Sequence, residues 1–115
     1  MSRSQFEEMD RELLYGKASP YSRMSDDSYN QLMSDMVATF STAHGRRIFW
    51  HLLLLGHYAD PVFSHKNPTM TRQVVERDFV QEHLFMVMSD AGPALLADIL
   101  TTGLHEHSQA AKKED

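Results

Sequence analysis

Seven histidines and sixteen carboxylates are the raw material from which a metal or acid–base site would be assembled in this chain. His44 and His51 fall on one side of a helix but two turns apart. Both cannot grip one ion unless a third ligand folds over them. His105-Glu106-His107 offers donors at i and i+2, which diverge on a helix. Neither pattern matches the His-Glu-x-x-His spacing that sets two imidazoles over one zinc. The chain has no cysteine, which removes disulfides, thiolate zinc sites and a thiol nucleophile. No metal and no cofactor are expected. Acid–base catalysis needs paired groups with shifted pKa values in a dry pocket. Glu76, Asp78, Glu82 and His83 share a helix side that reads equally as solvated surface. No glycine-rich phosphate loop follows a strand, and no Ser–His–Asp arrangement is suggested. The residues read as those of a protein that is not an enzyme.

The most specific polar feature is the pair Arg46–Arg47, set just before an aromatic–aliphatic block that carries Phe49 and Trp50. Consecutive helical positions point about 100° apart, so the two guanidiniums serve different partners. One is placed to fork onto a carboxylate such as Glu76 of a neighbouring helix. The plain alternative is an internal salt bridge plus one solvated arginine, since surface ion pairs are common and weak. The functional alternative is an inter-subunit clamp or a phosphate contact. A formal net charge of -5 argues against bulk coating of nucleic acid, which calls for a dominant basic face. Local contact with nucleic acid stays open.

The elements that position these residues are helices. No strand alternation occurs, and the fold class is all-α: a small bundle of three to four helices with an N-terminal amphipathic arm and a mobile C-terminal tail. Residues 1–24 form the arm, where Phe6, Met9, Leu13 and Leu14 recur at steps of three and four. So thin a stripe gives a marginal helix alone, and Phe6 and Leu13 are expected to order against a partner or neighbouring subunit. Residues 25–104 form the helical domain. Ser25-Asp26-Asp27-Ser28 supplies cap oxygens and first-turn acids, and Leu32, Met33, Met36, Val37 and Phe40 make an apolar face. Ser41 and Thr42 break that helix and cap the next.

The third element starts near Ala43 and stops at Gly56, a natural left-handed terminator. Every residue from Ile48 to Leu55 except His51 is apolar. A helix apolar nearly all round needs cover on several sides. In a 115-residue chain, much of that cover is expected from other chains. After Asp60-Pro61, Val62 and Phe63 are expected to tuck back onto the helices. Asn67 and Pro68 open the longest helix, with Val75, Phe79, Val80, Leu84, Val87 and Met88 as its buried stripe and Arg72–Glu76 as an outer i,i+4 pair. Ser89 to Pro93 is a stop followed by a start. A last helix carries Leu95, Leu96, Ile99 and Leu100, and Gly103 loosens it. The tail 105–115 has no apolar side chain larger than alanine and is expected to be mobile.

The size fits one domain, and 42% hydrophobic residues place the chain in the globular class. No apolar run approaches the roughly 18 residues of a membrane span. The first residues lack an apolar signal core, so no export is expected. Eight methionines, with Met33, Met36, Met86 and Met88 inside apolar stripes, suit packing against varied surfaces.

The stretch from Phe40 to Phe63 resembles a small all-helical protein family of tailed-bacteriophage structural gene modules, the Bordetella-phage Bbp type. The resemblance rests on the Ser41–Thr42 turn, Gly45-Arg46-Arg47, Ile48-Phe49-Trp50, Leu52-Leu53, Gly56-His57-Tyr58 and Phe63. Where the family continues into an acidic–Gly–Arg–Arg motif, this chain offers Val75-Glu76-Arg77-Asp78. The resemblance implies a virion-associated structural protein with no catalytic residue, encoded near head and tail genes. On that reading the chain oligomerises at the head–tail or portal vertex or inside the capsid and takes part in DNA ejection. Its partners would be portal, tail or internal virion proteins and copies of itself, and its location the virion, with the host cytoplasm during assembly. Arg46, Arg47, Trp50, Phe49, Phe6 and Leu13 are the expected interface residues. An assembly or packaging scaffold and a small DNA-binding regulator are the alternatives.

Overall fold

The computed structural model describes residues 10–114, with side chains described as far as residue 110. All regular structure among these residues is helical: α1 (10–15), α2 (Pro20–Arg23), α3 (Asp26–Phe40), α4 (Ala43–Leu55), α5 (Met70–Val80), a π-helical turn Gln81–Phe85, α6 (Met86–Ala91) and α7 (Pro93–Glu114). No described helix is long and apolar enough to cross a membrane.

The helix starts follow local chemistry. The Ser25 hydroxyl accepts from the Ser28 backbone N–H at 3.1 Å, and Asp26 and Asp27 stand in the positive first turn of α3. The Thr42 hydroxyl accepts from Gly45 N–H at 2.9 Å and starts α4. The next helix begins later than expected. The Asn67 side chain accepts from Thr69 N–H at 3.1 Å and donates to the Val62 carbonyl at 3.0 Å, so it ties the loop to itself, and α5 opens at Met70. An Asx side chain that bonds two residues on makes a turn in place of a helix cap.

The core is narrow. Met36 of α3, Phe49 and Leu53 of α4, Val87 and Met88 of α6, and Leu96 and Ile99 of α7 form one buried cluster. Helix α5 buries no residue. Of its expected stripe, Val80 and Leu84 are half-buried and Val87 and Met88 fully buried, whereas Val75 and Phe79 are 64% and 65% exposed. The reason is phase. Counting about 100° per residue, Val75 and Phe79 point more than a quarter-turn away from the face that Leu84, Val87 and Met88 share. The π-helical turn between them bonds i to i+5 and rotates the two faces only partly back towards each other.

Two other expectations meet a different outcome, and the expected tail is helical. Gly56 ends α4 with φ -87, and the left-handed residue is His57 at φ 60. Glycine is needed at 56 for space, because a Cβ there would lie 2.5 Å from the Val80 side chain. Val62 is buried as expected, but Phe63 is 71% exposed and lies under the Arg77 guanidinium at 5.8 Å. Residues 105–114, expected as a mobile tail, continue α7. Alanine, glutamine, glutamate and lysine there are strong helix formers, and no proline or glycine interrupts them after Gly103.

Gly103 does not loosen α7; it admits a neighbour. It is buried, and a Cβ at this position would meet ring carbons of Trp50 at 2.2 and 2.5 Å. The rigid indole would have to move, and Tyr58 holds it from another side with ring centroids 5.8 Å apart. Gly103→Ala gains about 0.5–1 kcal/mol of helix propensity and loses about 1–3 kcal/mol to overpacking. The clash wins. A net loss of about 1–2 kcal/mol is expected in urea denaturation, with a shift in Trp50 emission as the ring is displaced.

Candidate functional site

Helices α4 and α7 cross beside the core and leave a cleft of about 410 Å³ between them, lined by Ala43, Arg46, Arg47, Trp50, Ile99, Thr102, Gly103 and Glu106. Thr42 caps α4 so that Ala43, Arg46, Arg47 and Trp50 project towards α7, while Gly103 lets the indole lie close against that helix. Three residues singled out in the sequence therefore meet in one concavity. Arg46 Nε donates to the Ser41 carbonyl at 3.2 Å, and an Arg47 Nη lies 2.7 Å from His44 Nδ1. Arginine only donates, so His44 accepts at Nδ1 and carries its proton on Nε2. Neither arginine forms an ion pair with a carboxylate among the described residues. Glu76 is not their partner. It accepts from Arg72 Nε at 3.0 Å and lies 3.2 Å from Nε2 of His57, just past the C-terminal end of α4, so both its oxygens are occupied.

The other expected interface residues divide. Phe49 is fully buried in the core, so it cannot touch a partner directly; it sits about 100° round α4 from Ile48, on the side facing α3 and α7. Leu13 is 86% exposed. Phe6 lies outside the described residues. The outer side of α4 carries Ile48 and Leu55, both 55% exposed, two turns apart and flanked by the exposed His44 and His51. Arg77, in the place where the resemblance calls for an arginine pair, donates to the backbone carbonyls of His57 and Asp60 and thereby pins the loop after α4.

A second polar centre escaped sequence reading. Arg11 is 4% exposed. It donates to the Tyr21 carbonyl at 3.0 Å, the Met24 carbonyl at 2.8 Å and Asp26 Oδ1 at 2.8 Å, and its guanidinium lies 4.7 Å over the Tyr29 ring. The Tyr29 hydroxyl donates to Asp90 and accepts from the Tyr15 hydroxyl at 2.9 Å, while the Tyr21 hydroxyl lies 2.7 Å from His83 Nδ1 on the π-helical turn. Three of the four tyrosines, at 15, 21 and 29, fall within fifteen positions. That clustering was the available signal. The network seals residues 10–24 onto α3 and α6. Among the described residues, no three histidine or carboxylate side chains converge as a metal site would require.

Burial, and then the hydrogen bond to Asp90, push the Tyr29 phenol far above the usual tyrosine range; burial raises Tyr15 and Tyr21 as well. The folded state thus holds these protons more tightly than the unfolded chain. Their contribution to stability is complete below about pH 10, the ordinary phenol value, and is lost as pH rises above it. Thermal midpoints are expected to hold level to about pH 10 and then fall, with phenolate absorbance rising as the helical signal disappears. Ionisation of all the tyrosines at pH 10 with the helix content intact would contradict this.

Comparison with protein-family models, with curated proteins and with solved structures yields no match.

Proposed function

We propose that the chain is a non-enzymatic assembly protein, a bacteriophage virion component that associates with copies of itself and with other virion proteins at the head–tail vertex or inside the capsid. In this reading it is a small bundle of three to four principal helices, with the segment before α3 as a docked arm. The observation that carries the assembly part is the outer stripe of α4. Ile48 and Leu55 present apolar surface that the other described residues leave open. Each apolar square ångström covered by a neighbour contributes about 25 cal/mol. Arg46, Arg47 and Trp50 supply anchors on the adjoining side, and arginine and tryptophan dominate interface hot spots. The virion part rests on the resemblance over residues 40–63 alone.

Two measurements test the reading. Sedimentation equilibrium of the purified protein should show an oligomer that Ile48→Glu/Leu55→Glu converts to folded monomer. Mass spectrometry of purified particles should find the chain in mature virions. A strictly monomeric protein defeats the assembly reading, and presence only in immature particles would make it a scaffold.

A further inference from the structure

We propose that the α4–α7 cleft is a docking site for an acidic peptide segment of a partner protein, which lays an aliphatic side chain on the Trp50 indole and sets carboxylates against Arg46 and Arg47. This rests on the reading of the chain as an assembly protein and names the chemistry of its partner.

Charge is the first argument. The chain carries a net charge of -5, yet the cleft gathers two guanidiniums against one carboxylate, Glu106. Both arginines are tethered to neutral acceptors, the Ser41 carbonyl and the His44 ring, and so keep their full charge and spare N–H donors. Elsewhere in the described structure Arg11 and Arg72 are matched to Asp26 and Glu76, while Arg77 spends its donors on the backbone carbonyls of His57 and Asp60. Guanidiniums left without a carboxylate in an acidic protein suit a carboxylate brought from outside, and their planar forks favour it bidentately.

The second argument is shape. Trp50 is half-buried, with one side wedged against Gly103 and Tyr58, and the buried Ile99 shares the cleft floor. At about 410 Å³ the space matches a few side chains. A duplex would require a broad basic face, whereas this cleft offers two adjacent guanidiniums beside an indole. The occupant is therefore a short segment with apolar and acidic side chains together.

Trp50 is the single tryptophan, so its emission reads the site directly. The probe is a blocked Glu-Glu-Leu-Glu-Glu peptide titrated into the full chain. A saturable change in Trp50 emission is expected, with a dissociation constant on the order of 10⁻⁴ M, weakening severalfold as salt screens the contact. Arg46→Gln/Arg47→Gln should weaken binding at least about tenfold, and Glu106→Gln, at an exposed position, should tighten it. Equal binding of a Lys-Lys-Leu-Lys-Lys peptide overturns the proposal. So does failure of the acidic peptide to saturate at millimolar concentration, or tighter binding of a short DNA duplex through the same arginines. The parent reading fails separately. Peptide binding by a chain missing from virions leaves this site standing, and a virion protein that ignores the peptide removes only the site.

Discussion

Phe49→Ala is expected to lower folding stability by about 3–5 kcal/mol, the range for emptying a fully enclosed aromatic position. The ring has no exposed surface and lies edge-on to Phe40 at 5.0 Å. Its neighbours in the cluster come from α3, α4, α6 and α7, so no single element can relax into the space. A chain of this length has a total stability of about 6–17 kcal/mol. The substitution therefore removes a large part of it, and at the lower end leaves the protein barely folded at 37 °C. The control is one residue away. Ile48→Ala, at a half-exposed position, is expected to cost less than about 1 kcal/mol. Urea midpoints of the two variants check the contrast at equal concentration. Comparable losses would mean that α4 is rotated from the orientation described.

Arg11 is the next most sensitive position. Arg11→Met retains the apolar stem but removes the guanidinium from the Asp26 carboxylate and its bonds to the carbonyls of Tyr21 and Met24. Removing one partner of a buried pair costs about 3–5 kcal/mol. The lower end is expected, because the Asp26 side chain keeps 14% exposure and water can replace part of the contact. Arg11→Lys should recover only part of the loss, since an ammonium cannot fork to three acceptors placed around a planar guanidinium. Urea denaturation gives the energies. Limited proteolysis adds location: cleavage within residues 10–24 should accelerate in Arg11→Met while α4 and α7 stay protected. Uniform acceleration along the chain would show that the arm and the body unfold as one unit.

These two positions also mark the limits of legibility. Phe49 stands in an eight-residue run, apolar except at His51, in which every apolar position looks equally fit for the core or for a partner. Composition told that the run needs cover, and the structure supplies it on one side through Phe49 and Leu53 while Ile48 and Leu55 remain outside. Which side faces inward depends on where α7 lies, and nothing within residues 48–55 encodes that. Arg11 reads as an ordinary charge in a polar segment, because its acceptors are backbone carbonyls that any sequence possesses. Gly103 reads as a helix weakener, and its purpose appears only when Trp50, 53 positions earlier, comes to rest on it.

Local signals held where the controlling interactions are local. Ser25 and Thr42 cap the helices that follow them, Arg72 pairs with Glu76 one turn on, and the all-helical class is plain from three- and four-residue periodicity. Phase, register and the fate of α5 were not local. Hydrophobicity alone assigns Val75 and Phe79 to the buried stripe, and the face set by Val87 and Met88 excludes them.

The amino-acid order by itself determined the all-helical class, the starts of α3 and α4 at Ser25 and Thr42, and the conjunction of Arg46, Arg47 and Trp50, since these depend on contacts within a few residues. Only the tertiary structure decided that α7 turns the conjunction into a cleft, that Phe49 belongs inside, and that Arg11 fastens residues 10–24. Each of those outcomes depends on groups distant along the chain or on uniform backbone acceptors, and hydrophobic burial, being non-directional, does not say beforehand which neighbour will provide it.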